Sequence, residues 1–364
     1  MQRPLKILAI QFKYFGDTVM MVPALRAIRE RYPDCVLHAL VPEEVAPLLQ
    51  HLPWLARLWP MPRIRGRASF RQNWPVVRAL RAERFDRSVD FGGNDRGAIL
   101  SFLCGARERL GTDGPGGFIG RRFCFTERVG SAPLDQHEAQ RLLHILSAWN
   151  IASASPLECE IHTTAAQDAL AAQVLPEKKI ICHIASSQPK KEWPVDHWAA
   201  LYPLAAHAGL ELIFSTGLGK RERSLLEEFR HRAPEAPVLP PVADLGTYLA
   251  VIKRASLFIS GDTGPLHFAA GLGVPTVALF GPTSVIQWRP LGRGHQILNG
   301  GSCVCSGDTA VCRNSTHCLS QISPGQVLDR LKEMVVNSQK GCFPRQTGEN
   351  TSGTETSCKS IQKS

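Results

Sequence analysis

The chain has 364 residues, a formal net charge of +10 and 44% hydrophobic residues, a composition typical of a globular protein that is long enough for two domains. A basic residue or histidine interrupts every apolar run before the roughly 18 residues that a membrane-crossing helix needs, which excludes an integral membrane protein with helical spans. The start, MQRPLKILAIQFKYFGD, has charged residues too soon after its apolar stretch for a secretory signal, so we expect a cytoplasmic protein.

Strand and helix patterns alternate along the first half of the chain. An apolar run at 5–12 predicts a strand, and the amphipathic stretch 18–31 predicts a helix after it. The alternation continues with a strand at 36–41, a helix at 42–52, a strand at 84–93 and a helix at 137–151. Repeated βα units predict a parallel sheet.

The second half repeats this order after a stretch of small and polar residues at 152–176. Strands are predicted at 178–188 and from 211, each followed by a helix, and residues 244–283 predict helix, strand, loop, helix and strand. The sequence therefore predicts an α/β fold of two Rossmann-like domains with parallel sheets, at 1–165 and 176–340. The tail at 341–364 has almost no apolar residues, which predicts disorder.

Polar loops that follow strands are where α/β proteins bind ligands. Gly16 and Asp17 stand at the start of the first predicted helix, where the aspartate is either an ordinary N-cap or a functional carboxylate. Ser186, Ser187 and Lys191 follow a buried strand of the second half. Their hydroxyl groups and ammonium suit a diphosphate, and a solvated turn is the alternative.

The most specific loop covers residues 262–267, between a strand and a helix. Backbone N–H groups at a helix start, which Gly261 and Gly264 open to close approach, predict an anion site with Thr263 and His267 as further donors. Asp262 is unusual beside a phosphate, so it is expected to cap the helix or to orient His267.

Most of the positive charge lies between residues 57 and 128, which hold fifteen arginines, no lysine and seven acidic residues, a net charge of +8. Arginine suits phosphate and carboxylate groups, so this segment predicts an anionic membrane surface or glycolipid as partner, and a solvated arginine-rich surface is the alternative. Aromatic stacking motifs and zinc-finger spacing are missing from the segment, so nucleic acid is not expected as a partner.

Four cysteines, Cys303, Cys305, Cys312 and Cys318, lie close together in sequence. They could bind structural zinc, but Cys-x-Cys differs from the usual knuckle, and reduced thiols are the preferred interpretation. Signatures of other enzyme classes are missing from the sequence: the dinucleotide fingerprint after the first strand, the P-loop and the Gly-x-Ser-x-Gly elbow.

Three blocks together resemble glycosyltransferase family nine, the ADP-heptose:lipopolysaccharide heptosyltransferases, and within it the heptosyltransferase III-like branch. They are KILAIQFKYFGDTVMMVPALRAIRERYPD near the start, KEWP at 191–194 and SGDTGPLHFAAGLGVPTVALFGPT at 260–283. The resemblance implies a GT-B fold, in which two Rossmann-like domains face each other across a cleft. The N-terminal domain would hold the acceptor and the C-terminal domain the nucleotide-sugar.

The resemblance also implies roles for individual residues. Asp17 would be the general base that deprotonates the acceptor hydroxyl, and Lys191 would stabilise the departing diphosphate. Donor contacts are implied for Ser186, Ser187, Glu222, Asp262, Thr263, Gly264 and His267. Acceptor contacts are predicted for Gly16, Arg63 and Arg65, because the implied acceptor, a lipid A–Kdo-type core, carries phosphates and acidic sugars.

A single carboxylate on the acceptor side favours inverting displacement of ADP, and the absence of an Asp-x-Asp pair predicts that no metal and no cofactor are required. The implied acceptor is anchored in the cytoplasmic leaflet, so we expect peripheral association with the inner face of the bacterial inner membrane. Two alternatives remain open: a family-nine transferase that uses another nucleotide sugar, and a non-catalytic nucleotide-sugar-binding protein.

Overall fold

A computed structural model describes residues 3–62, 70–113, 117–151, 157–301 and 317–339. The chain divides into two compact units, unit 1 from Met1 to Thr164 and unit 2 from Ala165 to Ser364. Each unit contains one parallel sheet with helices around it, which confirms the predicted α/β class. The predicted tail at 341–364 lies outside the described residues.

Unit 1 contains a sheet of six parallel strands in the order β3-β2-β1-β4-β5-β6. The strands are β1 (Lys6–Ile10), β2 (Val36–Pro42), β3 (Arg57–Met61), β4 (Arg87–Asp90), β5 (Glu108–Thr112) and β6 (Glu127–Val129). The helices are α1 (Phe15–Arg31), α2 (Phe70–Ala82), α3 (Asp95–Leu103) and α4 (Glu138–Ile145). The direction in which strands are added reverses between β1 and β4, so this is the point where open α/β sheets bind ligands.

The core of unit 1 explains why its central strand is apolar throughout. Residues 7–10 are buried and are all apolar, as expected for a parallel strand covered on both faces. Leu8 and Ile10 pack with Leu40, Trp59 and Phe85 in one cluster. The sheet therefore holds the loops at its carboxyl edge on a fixed base.

Unit 1 differs from the predicted elements at the start of α1, at residues 42–52 and at elements that were not predicted, which include helices α2 and α3. Helix α1 begins at Phe15, three residues earlier than predicted, and the Asp17 carboxylate in its first turn accepts a hydrogen bond from the Tyr14 N–H. The predicted helix at 42–52 is a 3₁₀ turn at Glu43–Leu48 that contains Pro47, a residue that cannot donate a backbone hydrogen bond. The short strands β3, β5 and β6 were not predicted, because their arginine and glutamate residues hide the apolar alternation.

Unit 2 contains five parallel strands in the order β11-β10-β9-β7-β8. The strands are β7 (Ile180–His183), β8 (Leu212–Ser215), β9 (Leu257–Gly261), β10 (Thr276–Phe280) and β11 (His295–Asn299). The helices are α5 (Ala165–Val174), α6 (Val195–His207), α7 (Lys220–Arg232), α8 (Leu245–Lys253), α9 (Gly264–Gly271), α10 (Val285–Trp288) and α11 (Pro324–Gln339).

Aromatic contacts fix the loop between β7 and α6. The Trp193 ring is buried and meets the Trp198 ring edge to face at 4.7 Å. Its indole N–H donates to the Ile322 carbonyl at 2.9 Å, so the large ring is both packed and hydrogen-bonded. This anchor holds the preceding residues of the loop, including Lys191, against the core of unit 2.

Helix α5 lies in the stretch where the sequence changes to small and polar residues, and it belongs to unit 2. It packs against α8, where Lys253 pairs with Asp168 at 2.9 Å. The Arg254 side chain donates to the Leu175 carbonyl at 2.8 Å just beyond the helix. These contacts tie the polar stretch to the second sheet.

Candidate active site

Asp17 lies in the first turn of α1, directly beyond the carboxyl end of the central strand β1. Its carboxylate accepts a hydrogen bond from the Tyr14 backbone N–H at 3.3 Å, and Tyr14 rather than Asp17 is the N-cap residue. Gly16 occupies the same turn. The Asp17 side chain is 13% exposed, so it is largely buried but still reaches the surface.

Charged groups surround this carboxylate. The Lys13 ammonium lies 3.7 Å from Asp17 and 3.8 Å from Glu138, and Glu138 also pairs with Arg141 at 2.6 Å. Burial raises the pKa of Asp17, with Glu138 acting in the same direction, while Lys13 lowers it. A carboxylate with a raised pKa accepts a proton more readily than an ordinary aspartate does, which suits a general base.

A second carboxyl group lies at the same edge of the sheet, where the sequence led us to expect only one. Asp90 ends β4 and is fully buried, and burial raises its pKa to about 7 although the charges of Arg121 and Lys13 act against this. Its Oδ1 accepts a hydrogen bond from the Gly92 N–H at 3.0 Å. A Cβ atom at Gly97 would overlap the carboxylate, so the glycine makes room for it.

Two buried polar side chains at this edge have unpaired atoms. Within the described parts of the chain, Asp90 Oδ2 and both amide atoms of Gln11 find no hydrogen-bond partner. Sequence reasoning selected neither residue. The available signals were an acid at the end of an apolar strand before paired glycines, and a polar residue directly after the first strand.

Lys191 and the 262–267 loop come together in unit 2. The Lys191 ammonium lies 2.8 Å from Asp262 Oδ2, and His267 Nε2 lies 3.8 Å from Asp262 Oδ1. Burial raises the pKa of Asp262, but His267 and Lys191 outweigh it and the pKa falls to about 2. Asp262 is therefore ionised and holds the lysine, a contact that sequence reasoning did not predict. Thr263, not Asp262, is the N-cap residue of the following helix, and the predicted orientation of His267 by Asp262 stays a prediction.

Helix α9 starts at this loop. Thr263 is the N-cap residue, although its side chain makes no capping hydrogen bond, and Gly264 is the first helical residue. A Cβ atom at Gly261 would overlap the Lys191 carbonyl, so glycine allows the two loops to pack directly together. Pro265 has no N–H, and the Leu266 N–H donates to the Thr263 carbonyl at 3.1 Å. The Gly264 N–H thus lies near a lysine that is held by its partner carboxylate, an arrangement that suits a bound anion.

Ser186 and Ser187 differ in exposure. Ser186 is buried, and its N–H donates to Glu192 at 2.9 Å, while Ser187 is exposed. Arg221 donates to both oxygens of Glu192, at 2.8 and 2.9 Å, and to the Ser186 carbonyl. Sequence reasoning missed Arg221 and Glu192, which hold the loop that carries Lys191.

Glu222 has a local structural role. It is the third residue of α7, and its carboxylate accepts a hydrogen bond from the Gly219 N–H at 2.9 Å at the start of that helix. A Cβ atom at Gly217 would overlap the Glu222 carboxylate, so glycine at this position lets the turn before α7 pack directly against that side chain. The predicted donor contact of Glu222 stays a prediction.

Several predicted site residues lie outside the described residues. These are Arg63 and Arg65, and the cysteines Cys303, Cys305 and Cys312. Cys318 is described and is buried at the start of a 3₁₀ turn, so zinc binding by the four cysteines stays a prediction. Among the residues that are described, no group of three or more His, Cys, Asp or Glu side chains could hold a metal ion.

Comparison with known proteins identifies the family. Residues 74–312 match glycosyltransferase family 9 (heptosyltransferase). The chain is 25% identical over 361 residues to lipopolysaccharide heptosyltransferase 2 of Escherichia coli K12, an alignment that covers 92% of this chain and 100% of that protein.

Solved structures with the same fold include the family 9 glycosyl transferase from Veillonella parvula DSM 2008. It has a TM-score of 0.81 at 21% identity, covering 93% of this chain and 99% of that one. The ADP-heptose lipopolysaccharide heptosyltransferase II of E. coli has a TM-score of 0.74 at 19% identity, covering 92% of this chain and 100% of that one. At this level of identity, the structures establish a shared fold.

Proposed function

Because the chain belongs to glycosyltransferase family 9, the heptosyltransferases, we propose that it moves a heptose from ADP-heptose to the inner core of lipopolysaccharide with inversion at the anomeric carbon. The proposal is supported by the full-length relationship to a lipopolysaccharide heptosyltransferase. The observation that carries it is the pairing of Lys191 with Asp262 at the start of α9, which supports a diphosphate site in unit 2. Unit 2 would hold the nucleotide-sugar and unit 1 the acceptor.

The acceptor side of the reaction needs one base. The attacking hydroxyl oxygen forms a bond to the anomeric carbon of the heptose, and its proton passes to the Asp17 carboxylate. Partial burial places this carboxylate in a medium where it accepts the proton more readily, and Lys13 keeps it ionised beforehand.

The donor side needs charge stabilisation. As the bond from the anomeric carbon to the ADP oxygen breaks, negative charge builds on the diphosphate. The Lys191 ammonium and the Gly264 N–H at the start of α9 would stabilise that charge, with Asp262 holding the lysine in place. One displacement inverts the anomeric configuration, so no covalent intermediate is needed.

No helix in the described ranges is long and apolar enough to cross a membrane. We propose that the protein works at the inner face of the bacterial inner membrane, bound peripherally, because the proposed acceptor is lipid-anchored. The arginine-rich segment 57–128, with its net charge of +8, would face the anionic surface.

A donor comparison tests the function. Purified protein is incubated with a lipid A–Kdo acceptor and, separately, ADP-heptose, UDP-sugars or GDP-sugars, and the released nucleotide and the elongated acceptor are quantified. We expect product from ADP-heptose alone, and the same rate in the presence of EDTA. Product from another donor would identify a transferase with a different nucleotide sugar, and donor binding without product would identify a non-catalytic protein.

A further inference from the structure

Large apolar side chains are exposed around α3 and the 3₁₀ turn Arg121–Cys124 in unit 1. We call the following five the apolar patch: Ile99 (43% exposed), Phe102 (53%), Phe118 (40%), Ile119 (104%) and Phe123 (68%). Single exposed apolar residues are common on proteins, but several that lie together mark an interaction surface.

The two phenylalanines nearest Ile119 lie side by side. A Cβ atom on Gly120 would be 3.7 Å from a ring carbon of Phe123 and 3.9 Å from one of Phe118. Gly120 has φ of +104°, a conformation that side chains with a Cβ rarely adopt. The glycine therefore permits the tight turn that presents Phe118, Ile119 and Phe123 together.

Contacts at both ends of α3 join the rest of the patch to this turn. The Phe118 N–H donates a hydrogen bond at 3.3 Å to the carboxylate of Asp95, the first residue of α3. At the other end, the Arg109 guanidinium lies 5.7 Å from the Phe102 ring and donates to the Cys124 carbonyl at 2.8 Å. Ile99 and Phe102 are three residues apart on one side of α3, which packs against the Arg121–Cys124 turn, so the five side chains lie on neighbouring elements.

Cations lie among these apolar side chains. The exposed Arg122 guanidinium lies 4.8 Å from the Phe123 ring, and Arg109 lies over Phe102. Aromatic and aliphatic side chains interleaved with arginine match the boundary of an anionic bilayer, where apolar groups enter the headgroup layer and arginine meets phosphate. A second copy of the chain would bring the same excess of positive charge and would be repelled.

We propose that the apolar patch docks on an anionic lipid bilayer, with Ile119 and Phe123 entering the headgroup layer and Arg122 meeting lipid phosphates. The choice of a membrane as the partner rests on the proposed function, in which the acceptor is anchored in a membrane. The patch itself is an observation on unit 1, and its binding to lipid is measurable without any sugar transfer.

Vesicle cosedimentation tests the proposal. Wild-type protein is mixed with vesicles of phosphatidylethanolamine and phosphatidylglycerol, or of phosphatidylcholine alone, at low and high salt. We expect binding to the anionic vesicles, and we expect it to weaken about tenfold or more in the double variant Ile119→Ser/Phe123→Ser, because two apolar side chains no longer leave water. Arg122→Gln should weaken binding at low salt and have little effect at high salt.

Matched controls test whether vesicle binding depends on the apolar patch or on exposed apolar side chains in general. The double variant Leu170→Ser/Leu204→Ser removes two exposed leucines of unit 2, which are 49% and 42% exposed, and should bind vesicles as the wild type does. Unchanged ADP affinity and circular dichroism would show that the patch variant is folded. Equal vesicle binding by the patch variant and wild type would overturn the proposal, and so would a patch-dependent dimer in analytical ultracentrifugation.

The same variants separate this inference from the proposed function. If the protein transfers no heptose yet the patch variant loses vesicle binding, the inference stands and the proposed function fails. If transfer to a water-soluble acceptor fragment is normal and vesicle binding does not depend on the patch, the proposed function stands and the inference fails.

Discussion

The Lys191 ammonium lies 2.8 Å from the Asp262 carboxylate, joining loops that follow the adjacent strands β7 and β9. Asp262 is almost fully buried, and a buried carboxylate is stable in its charged form only with a partner. The pair therefore holds one cation at the start of α9 in a fixed position. Its side chain would lose little conformational entropy when a ligand binds. In the proposed function the lysine would contact the diphosphate, and the aspartate would position the lysine.

Removing this cation should weaken use of the donor. We expect Lys191→Ala to raise the KM for ADP-heptose about tenfold or more, because a charge-assisted contact to phosphate is lost. Lys191→Glu should be worse, since it brings a second negative charge beside Asp262. His267→Ala should also weaken donor use, because His267 helps to keep Asp262 ionised.

The matched control is Lys253→Ala, which removes a lysine paired with Asp168 at 2.9 Å elsewhere in unit 2. Its donor KM should equal that of the wild type. Calorimetric titration with ADP gives the same comparison without turnover. Equal ADP affinity in Lys191→Ala, Lys191→Glu and wild type would show that the pair is only structural.

Lys13 should set the pH at which the enzyme loses activity. Its ammonium stabilises the anion of Asp17, so Lys13→Met should raise the pKa of that carboxyl further above its ordinary value. A base must be unprotonated before it acts, so the acid limb of the kcat/KM profile should move to higher pH. Lys13→Arg should restore most of the wild-type profile.

Lys6→Met is the comparison variant for this profile, because Lys6 pairs with Glu83 at 2.8 Å in the same unit but has no proposed role at the site. Its acid limb should coincide with that of the wild type. Superimposable profiles for Lys13→Met and wild type would mean that Asp17 does not limit the reaction at low pH.

Part of this site could be predicted from the sequence and part could not. Apolar runs that end in glycine and a polar residue predicted the strand-end loops, because local pattern alone determines where such loops fall. The Lys191–Asp262 pair joins residues 71 positions apart, and Arg221 reaches Ser186 across 35. Such contacts depend on strand order, which periodicity does not specify.

The buried carboxyl of Asp90 should make stability depend on pH. Its folded-state pKa of about 7 lies above the ordinary value of 3.8, so its protonated form adds stability below about pH 4. That contribution is lost as the pH rises to about 7. Asp90→Asn keeps an acceptor for the Gly92 N–H and does not ionise, so it should gain on the order of 1 kcal/mol or more relative to wild type between pH 5 and pH 8.

Denaturant unfolding at the two pH values measures this difference. Asp86→Asn provides a control of opposite sign. Burial raises the pKa of Asp86, but hydrogen bonds from the Lys6 N–H and Arg3 together lower it by more, so its pKa lies below the ordinary value. Its ionised form stabilises the fold above pH 3.8, and Asp86→Asn should lose stability at pH 8. A difference between Asp90→Asn and wild type that does not change with pH would contradict the assignment of a neutral Asp90.

The proposed role of Asp17 as general base is tested most directly by the transfer rate of Asp17→Asn with ADP-heptose and a lipid A–Kdo acceptor, measured by mass spectrometry of the acceptor. Asparagine retains an oxygen that can accept the Tyr14 N–H bond at the start of α1, so the variant removes the base and keeps the cap. We predict turnover lower by about a hundredfold or more, with ADP affinity unchanged. Turnover close to that of the wild type would show that Asp17 is only a capping residue and would contradict the proposed mechanism.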